Sequence, residues 1–181
     1  MFVKGARIFD DTEREWIRAP IGIPVDTVGL GQITLTAPVE LAPAVKRIVA
    51  ALKKVYSDKA FRIVVDIDNN ARFRGDEGDL TEMLGNLLDN ACKWCRDTVR
   101  ISASSDQERL RIRVEDDGPG ISDTDAARVF MRGARSDETV PGHGIGLAVV
   151  REIVEAYGGE ASIGNSALGG SLVELDLPGA Q

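Results

Sequence analysis

Histidine is nearly missing from this sequence, with His143 the single one among 181 residues. Cysteine occurs twice, as Cys92 and Cys95 in the run Ala-Cys-Lys-Trp-Cys. A lone C-x-x-C could ligate zinc or run thiol chemistry, but a zinc site needs a second ligand pair, and the sequence supplies none. The two thiols therefore read as small apolar residues on a helix. Positive charge is also short: 22 Lys and Arg stand against 29 Asp and Glu, a net charge of −7. That balance argues against extended nucleic-acid binding and requires any bound polyanion to be held by local features. No apolar run approaches the ~20 residues of a membrane span, and the N-terminus lacks the apolar core of a signal peptide. Membrane contact is expected only through segments outside this chain.

What is present suits one soluble globular domain, with 43% apolar and 28% charged residues. Residues 1–31 differ from the rest. Asp10-Asp11-Thr12 suits the cap of a short helix through Ala19, after which Pro20, Gly22, Pro24, Gly29 and Gly31 break regular structure. This segment reads as a linker, an interface segment or appended sequence, and no function is assigned to it. Residues 32–181 form the expected domain.

From Gln32 the pattern becomes regular. Ile33-Thr34-Leu35-Thr36 predicts a strand, and Val39–Tyr56 a helix with Leu41, Val45, Ile48, Val49 and Leu52 at helical spacing. Phe61–Ile67 reads as a strand and Asp76–Trp94 as a second helix. Thr98–Ser104 and Arg109–Glu115 read as paired strands, the latter alternating Leu110, Ile112 and Val114 against Arg109, Arg111 and Arg113. A third helix over Gly146–Tyr157 precedes two strands, Glu160–Ile163 and Ser171–Leu177. The expected fold class is α+β: a two-layer α/β sandwich whose mixed sheet is covered on one face by three helices.

The second helix carries the most information. Glu82, Asn86, Asn90 and Lys93 fall within an arc of roughly 80° at 100° per residue, opposite Leu80, Met83, Leu84, Leu87 and Ala91. Asparagine is a poor helix former, so two of them a turn apart lower helix stability. Amide oxygens suit Mg²⁺, which keeps waters and takes phosphates as further ligands, and Lys93 suits a phosphate as a point charge. A solvated face of an amphipathic helix is the alternative.

Two glycine-rich segments follow. The first, Asp116-Asp117-Gly118-Pro119-Gly120-Ile121, allows close backbone approach to a ligand, and a carboxylate there fits the exocyclic amine of adenine. An acidic β-turn is the alternative. The second, Gly142-His143-Gly144-Ile145-Gly146-Leu147, opens onto a helix whose N-terminus suits phosphate. A helix-capping loop without ligand is the alternative. Rossmann, Walker A and protein-kinase signatures are absent. Between the two, Phe130 introduces Met131–Pro141, which reads either as a lid over phosphates or as a surface loop.

In order, Glu82…Asn86…Asn90…Lys93, Asp117-Gly-Pro-Gly, Phe130 and Gly142-His-Gly-Ile-Gly resemble the N, G1, F and G2 boxes of histidine kinases. These belong to a superfamily that includes gyrase, MutL and heat-shock chaperone ATPases. The resemblance spans about residues 33–178 and is of the PhoQ type through Gly-Asn-Leu-Leu-Asp-Asn-Ala-Cys-Lys-Trp-Cys and Glu-Asp-Asp-Gly-Pro-Gly-Ile. It implies a Bergerat-type ATP-binding fold. It further implies Asn86 and Asn90 at Mg²⁺ and the phosphates, Lys93 and Arg135 at phosphate, and Trp94 bordering the nucleotide. Asp117 would meet adenine, with Gly118, Gly120 and Ile121 shaping that pocket. Gly142, Gly144 and Gly146 would form the hinge of the lid, and with His143, Ile145 and Leu147 they would belong to the nucleotide-binding residues. Glu82 matches a general-base position of the hydrolysing relatives, with its role in kinases open. Two departures stand out: PhoQ-type kinases carry a lid arginine where Val140 stands here, and a glutamine near the metal where His143 stands.

The implied reaction moves the γ-phosphoryl of ATP to a histidine. His143 is unlike a helical phosphoacceptor, so the acceptor is expected on a separate dimerisation domain, with a response regulator downstream and a cytoplasmic location. A serine kinase of the anti-sigma type, an ATP-hydrolysing machine and a non-catalytic binding module are the rival readings.

Overall fold

The computed structural model describes residues 37–106, 108–121 and 146–179. The strand expected over Ile33–Thr36, the segment 1–31, Phe130 and the whole stretch Met131–Ile145 lie outside the described residues. Residues 36–181 form one compact unit. In chain order the elements are β1 (Val39–Glu40), α1 (Leu41–Val55), β2 (Arg62–Ile67), β3 (Arg72–Phe73) and α2 (Glu77–Trp94). Then come β4 (Thr98–Ser105), β5 (Arg109–Asp116), α3 (Gly146–Ala156), β6 (Glu160–Asn165) and β7 (Ser171–Pro178).

Among the described residues, five strands make one mixed sheet in the order β2-β4-β5-β7-β6. Of these strands only β2 and β4 run parallel, and the crossover that a parallel pair needs contains α2. The remaining neighbours are antiparallel. Register rows such as Ile101↔Val114↔Val173↔Ile163 and Ala103↔Ile112↔Leu175↔Ala161 point their apolar side chains to one face. Against that face lie Leu41, Val45 and Leu52 of α1, Leu80, Leu84, Leu87 and Leu88 of α2, and Val150 and Val154 of α3, all buried. The expected two-layer sandwich is what forms. The opposite face is charged, with Arg113 paired to Glu174 at 3.1 Å and Arg109 to Asp176 at 2.7 Å. Pairs this exposed contribute about 0–1 kcal/mol each. No helix among the described residues is long and apolar enough to cross a membrane.

Two features depart from the sequence reading. Val39–Glu40 pairs with Arg72–Phe73 as a small second sheet, so α1 starts at Leu41 and not at Val39. The backbone N–H of Leu41 donates to the Ala71 carbonyl at 3.1 Å and fixes that start. Two-residue strands carry no periodic signal, and Phe73, 1% exposed, anchors its strand in the core.

α2, which carries the polar face, is held at its N-terminal end by capping. The Asp76 side chain accepts from the N–H groups of Gly78 (2.7 Å) and Asp79 (3.3 Å). Tyr157, just past α3, accepts from the Asp76 N–H at 3.1 Å and donates to Asp79 Oδ2 at 2.5 Å. Its ring meets Phe73 edge-on at 4.9 Å. α3 thus clamps the start of α2 with its own C-terminal end.

Candidate functional site

The N-terminal end of α3 meets the middle of α2. A Cβ added to Gly146 would sit 3.1 Å from Asn86 Oδ1, so the first residue of α3 lies against the amide. Asn86 and Asn90 are half-buried on α2, and Glu82 is exposed. Lys93 and Trp94, also half-buried, end the helix, with Lys93 Nζ 5.3 Å from the Trp94 ring centroid. The expected polar edge of α2 is therefore real, and its central amide faces the glycine that opens α3.

The segment after β5 meets the C-terminal end of α2. A Cβ on Gly118 would collide with the Trp94 carbonyl and crowd Asp116 Oδ1. Gly170, from the turn between β6 and β7, is packed so close that a Cβ there would overlap Asp116 and the Gly118 nitrogen. Gly120 has φ +75°, a left-handed conformation that costs glycine nothing. Backbone from three separate parts of the chain closes round one carboxylate.

That carboxylate is Asp116, 3% exposed. Its Oδ1 accepts from the N–H groups of Gly118 (2.8 Å) and Ser171 (3.3 Å), and its Oδ2 accepts from the Ser171 hydroxyl. Asp117, expected to meet adenine, is engaged elsewhere. Its Oδ1 accepts from the N–H groups of Arg96 (2.7 Å) and Asp97 (3.1 Å), and Asp97 also reaches Oδ2 at 3.1 Å. Burial pushes the Asp117 carboxyl up, but the N–H groups of Thr98, Arg96 and Asp97 outweigh this and hold it below the usual carboxylate range. Asp117 is a lock on the chain between α2 and β4.

The sequence carried a signal for this distinction. Leu110, Ile112 and Val114 face the helices, and the same alternation puts Asp116, not Asp117, on the inner face, opposite Val99. Ser171 had no comparable signal, being one serine at the start of a strand. Ile121 is half-buried and Leu147 buried. Arg135, Val140, Gly142, His143, Gly144 and Ile145 lie outside the described residues.

The two cysteines flank Lys93 and Trp94 and are buried, at 0% and 4% exposure. Burial raises both thiols, and Cys92 is pushed up to about 12. They pack as small apolar groups, as expected.

The family model for histidine kinase-, DNA gyrase B- and HSP90-like ATPases matches residues 75–181, which include α2, the Asp116 turn and α3. The chain belongs to this family. Within it, the chain resembles sensor histidine kinases. It is 46% identical over 135 residues to the virulence sensor histidine kinase PhoQ of Salmonella typhimurium strain LT2. It is 47% identical over 135 residues to the sensor protein PhoQ of Escherichia coli strain K12. Each alignment covers 75% of this chain but 28% of the relative, so the chain spans little more than a quarter of those proteins. Among solved structures, the mycobacterial sensor histidine kinase MprB superposes with a TM-score of 0.66 at 28% identity, over 78% of this chain and 96% of that one. Full-length ShkA in complex with AMPPNP superposes with a TM-score of 0.70 at 28% identity, over 80% of this chain and 31% of that one. This histidine-kinase-type ATPase domain therefore shares both sequence and architecture with the catalytic portions of sensor kinases.

Proposed function

We propose that this domain binds Mg-ATP between α2, the Asp116 turn and the N-terminus of α3, and donates the γ-phosphoryl to a histidine on a separate dimerisation domain. The observation that carries this reading is the meeting of Asn86 with Gly146 midway along α2 and of Trp94 with Gly118, itself against Asp116, at the C-terminal end of that helix.

Asp116, and not Asp117, is the proposed adenine acceptor. A carboxylate offers about four lone-pair sites. Three hydrogen bonds within the protein leave room for one more donor, which an exocyclic amine supplies. Gly118 and Gly170 keep the surrounding floor free of side chains. Trp94 borders the base, and Lys93 reaches toward the phosphates. Arg135 and the segment Gly142–Ile145 are proposed to complete the phosphate side.

For Mg²⁺ the protein ligands in this reading are the amide oxygens of Asn86 and Asn90. Among the described residues, no group of three His, Cys, Asp or Glu side chains gathers into a cage. That fits an ion held largely by phosphate oxygens and water. When bound, it supplies charge neutralisation at the β- and γ-phosphates. The protein's task is then positioning and electrostatic stabilisation, which phosphoryl transfer mostly requires. A histidine nitrogen lone pair forms the new N–P bond as the bond to the β–γ bridging oxygen breaks and ADP leaves.

The domain would work at a cytoplasmic location, where ATP is supplied. Its partners would be a histidine-bearing dimerisation domain and, downstream, a response regulator. Calorimetric titration with AMPPNP and Mg²⁺ should saturate at one site. Labelled ATP plus a kinase dimerisation domain should yield acid-labile, base-stable phosphate on that domain. A chain that binds no nucleotide, or whose product is acid-stable, would overturn the proposal.

A further inference from the structure

Lys59 belongs to none of the motifs in the sequence. It lies in the turn between α1 and β2, yet its ammonium reaches the far end of α2. Nζ donates to the Cys92 carbonyl at 2.8 Å and to the Lys93 carbonyl at 3.0 Å. The same group lies 5.8 Å from the centroid of the Phe61 ring. Its charge also lowers the Cys95 thiol, against the larger upward push of burial.

The last four carbonyls of a helix have no partners within it, and they form the negative end of the helix dipole. A cation seated on two of them satisfies the oxygens and complements the dipole. The other groups of this turn are also engaged. The Cys95 N–H donates to the Ala91 carbonyl at 2.9 Å, and Gly118 packs against the Trp94 carbonyl. Asp117 accepts from the N–H groups of Arg96 and Asp97 at 2.7 and 3.1 Å. These backbone groups between Cys92 and Asp97 are tied to a charged side chain, to the preceding helical turn or to the Asp116 turn. The turn so fixed is the one that presents Lys93 and Trp94.

We propose that Lys59 is a positioning residue for nucleotide binding: by seating its ammonium on the Cys92 and Lys93 carbonyls, it sets the direction in which Lys93 and Trp94 leave α2. The proposal rests on the nucleotide reading above. Lys59 touches no ligand in it and acts only through the backbone of α2. An unfixed helix end frays, so ordering it at the moment of binding would weaken affinity; a preordered end removes that cost.

The test uses the 181-residue chain with Trp16→Phe, which leaves Trp94 as the one tryptophan reporter. Lys59→Met keeps the apolar stem and removes the charge, while Lys59→Arg retains a cation. Acrylamide quenching of Trp94 without nucleotide, thermal melting and calorimetric titration with Mg-AMPPNP are compared. Lys59→Met should melt cooperatively, quench more readily and bind about tenfold more weakly, the equivalent of about 1.4 kcal/mol. Lys59→Arg should restore both quenching and affinity to within about threefold, a recovery that general destabilisation would not give. Should Lys59→Met not fold, Lys59→Gln, which keeps one amide donor, is judged by the same criteria. Wild-type quenching and affinity in the neutral variant, or equal loss in the arginine variant, overturns the role of Lys59. Absence of binding by the parent protein overturns the nucleotide reading instead.

Discussion

The sharpest perturbation compares two neighbouring carboxylates, each exchanged for its amide. Asp116→Asn keeps the shape of a side chain whose Oδ1 serves Gly118 and Ser171 and whose Oδ2 serves the Ser171 hydroxyl. The amide oxygen can hold both N–H groups, and the hydroxyl can rotate to accept from the new NH₂. The fold should therefore survive. The acceptor left for adenine becomes a donor, however, and the charge is lost. A hydrogen bond to a charged group is worth about 1.5–3 kcal/mol, which converts to an affinity loss of roughly 10- to 150-fold. Asp117→Asn retains an oxygen for the Arg96 and Asp97 N–H groups and should alter affinity by less than about threefold. Calorimetry with Mg-AMPPNP, alongside thermal melts to establish folding, measures both. If Asp117→Asn abolishes binding while Asp116→Asn preserves it, the assignment of adenine to Asp116 is wrong.

Two further outcomes follow from the groups around the same helix end. Cys92, raised to about 12, and Cys95, also raised, are buried, so iodoacetamide near neutral pH should leave both unmodified in the folded protein. Mass spectrometry finding rapid alkylation under native conditions would contradict their packing as inert apolar groups. For Asp117 the folded-state carboxyl is held below its unfolded value of about 3.9. Its stabilising contribution is then present above about pH 4 and is lost as pH falls through the folded value. Melting temperatures measured from pH 7 downward should fall below that point, and less steeply in Asp117→Asn; identical slopes would remove Asp117 from its role as a lock.

The helices and the principal strands were legible because burial imposes a period on them. On α2, Leu80, Met83, Leu84, Leu87 and Ala91 are all buried, as their helical spacing predicts. β5 alternates as read up to Val114; Glu115 and Asp116 are then both buried, and the register, not burial, sets Asp116 opposite Val99. The resemblance implies Asp117 at adenine, whereas strand parity sets Asp116 on the inner face. The β1–β3 pair escaped because two residues cannot display a period. Lys59 and Ser171 escaped for a different reason: each acts on a group distant in sequence, Lys59 on carbonyls 33 and 34 residues away and Ser171 on a carboxylate 55 residues away. A lysine in a turn and a serine at a strand start look like solvent-facing residues until the chain is folded.

The charge balance poses a problem that the local geometry answers. A chain with a net charge of −7 repels a polyphosphate at long range. That far field is screened over about 8 Å at physiological ionic strength, whereas contacts within a partly closed site are screened much less. Attraction must therefore come from a few near groups, yet two of the charges around the end of α2 act on backbone. Lys59 sits on carbonyls and Asp117 on N–H groups. In the proposed site the groups that would serve phosphate include the Lys93 ammonium and the N–H groups at the start of α3, where Gly146 abuts Asn86. Oriented backbone dipoles attract only if they stay oriented, because a frayed helix end turns them toward water. The side chains that order the backbone thus affect affinity as directly as those that meet the ligand, and an acidic domain can hold ATP without a basic surface.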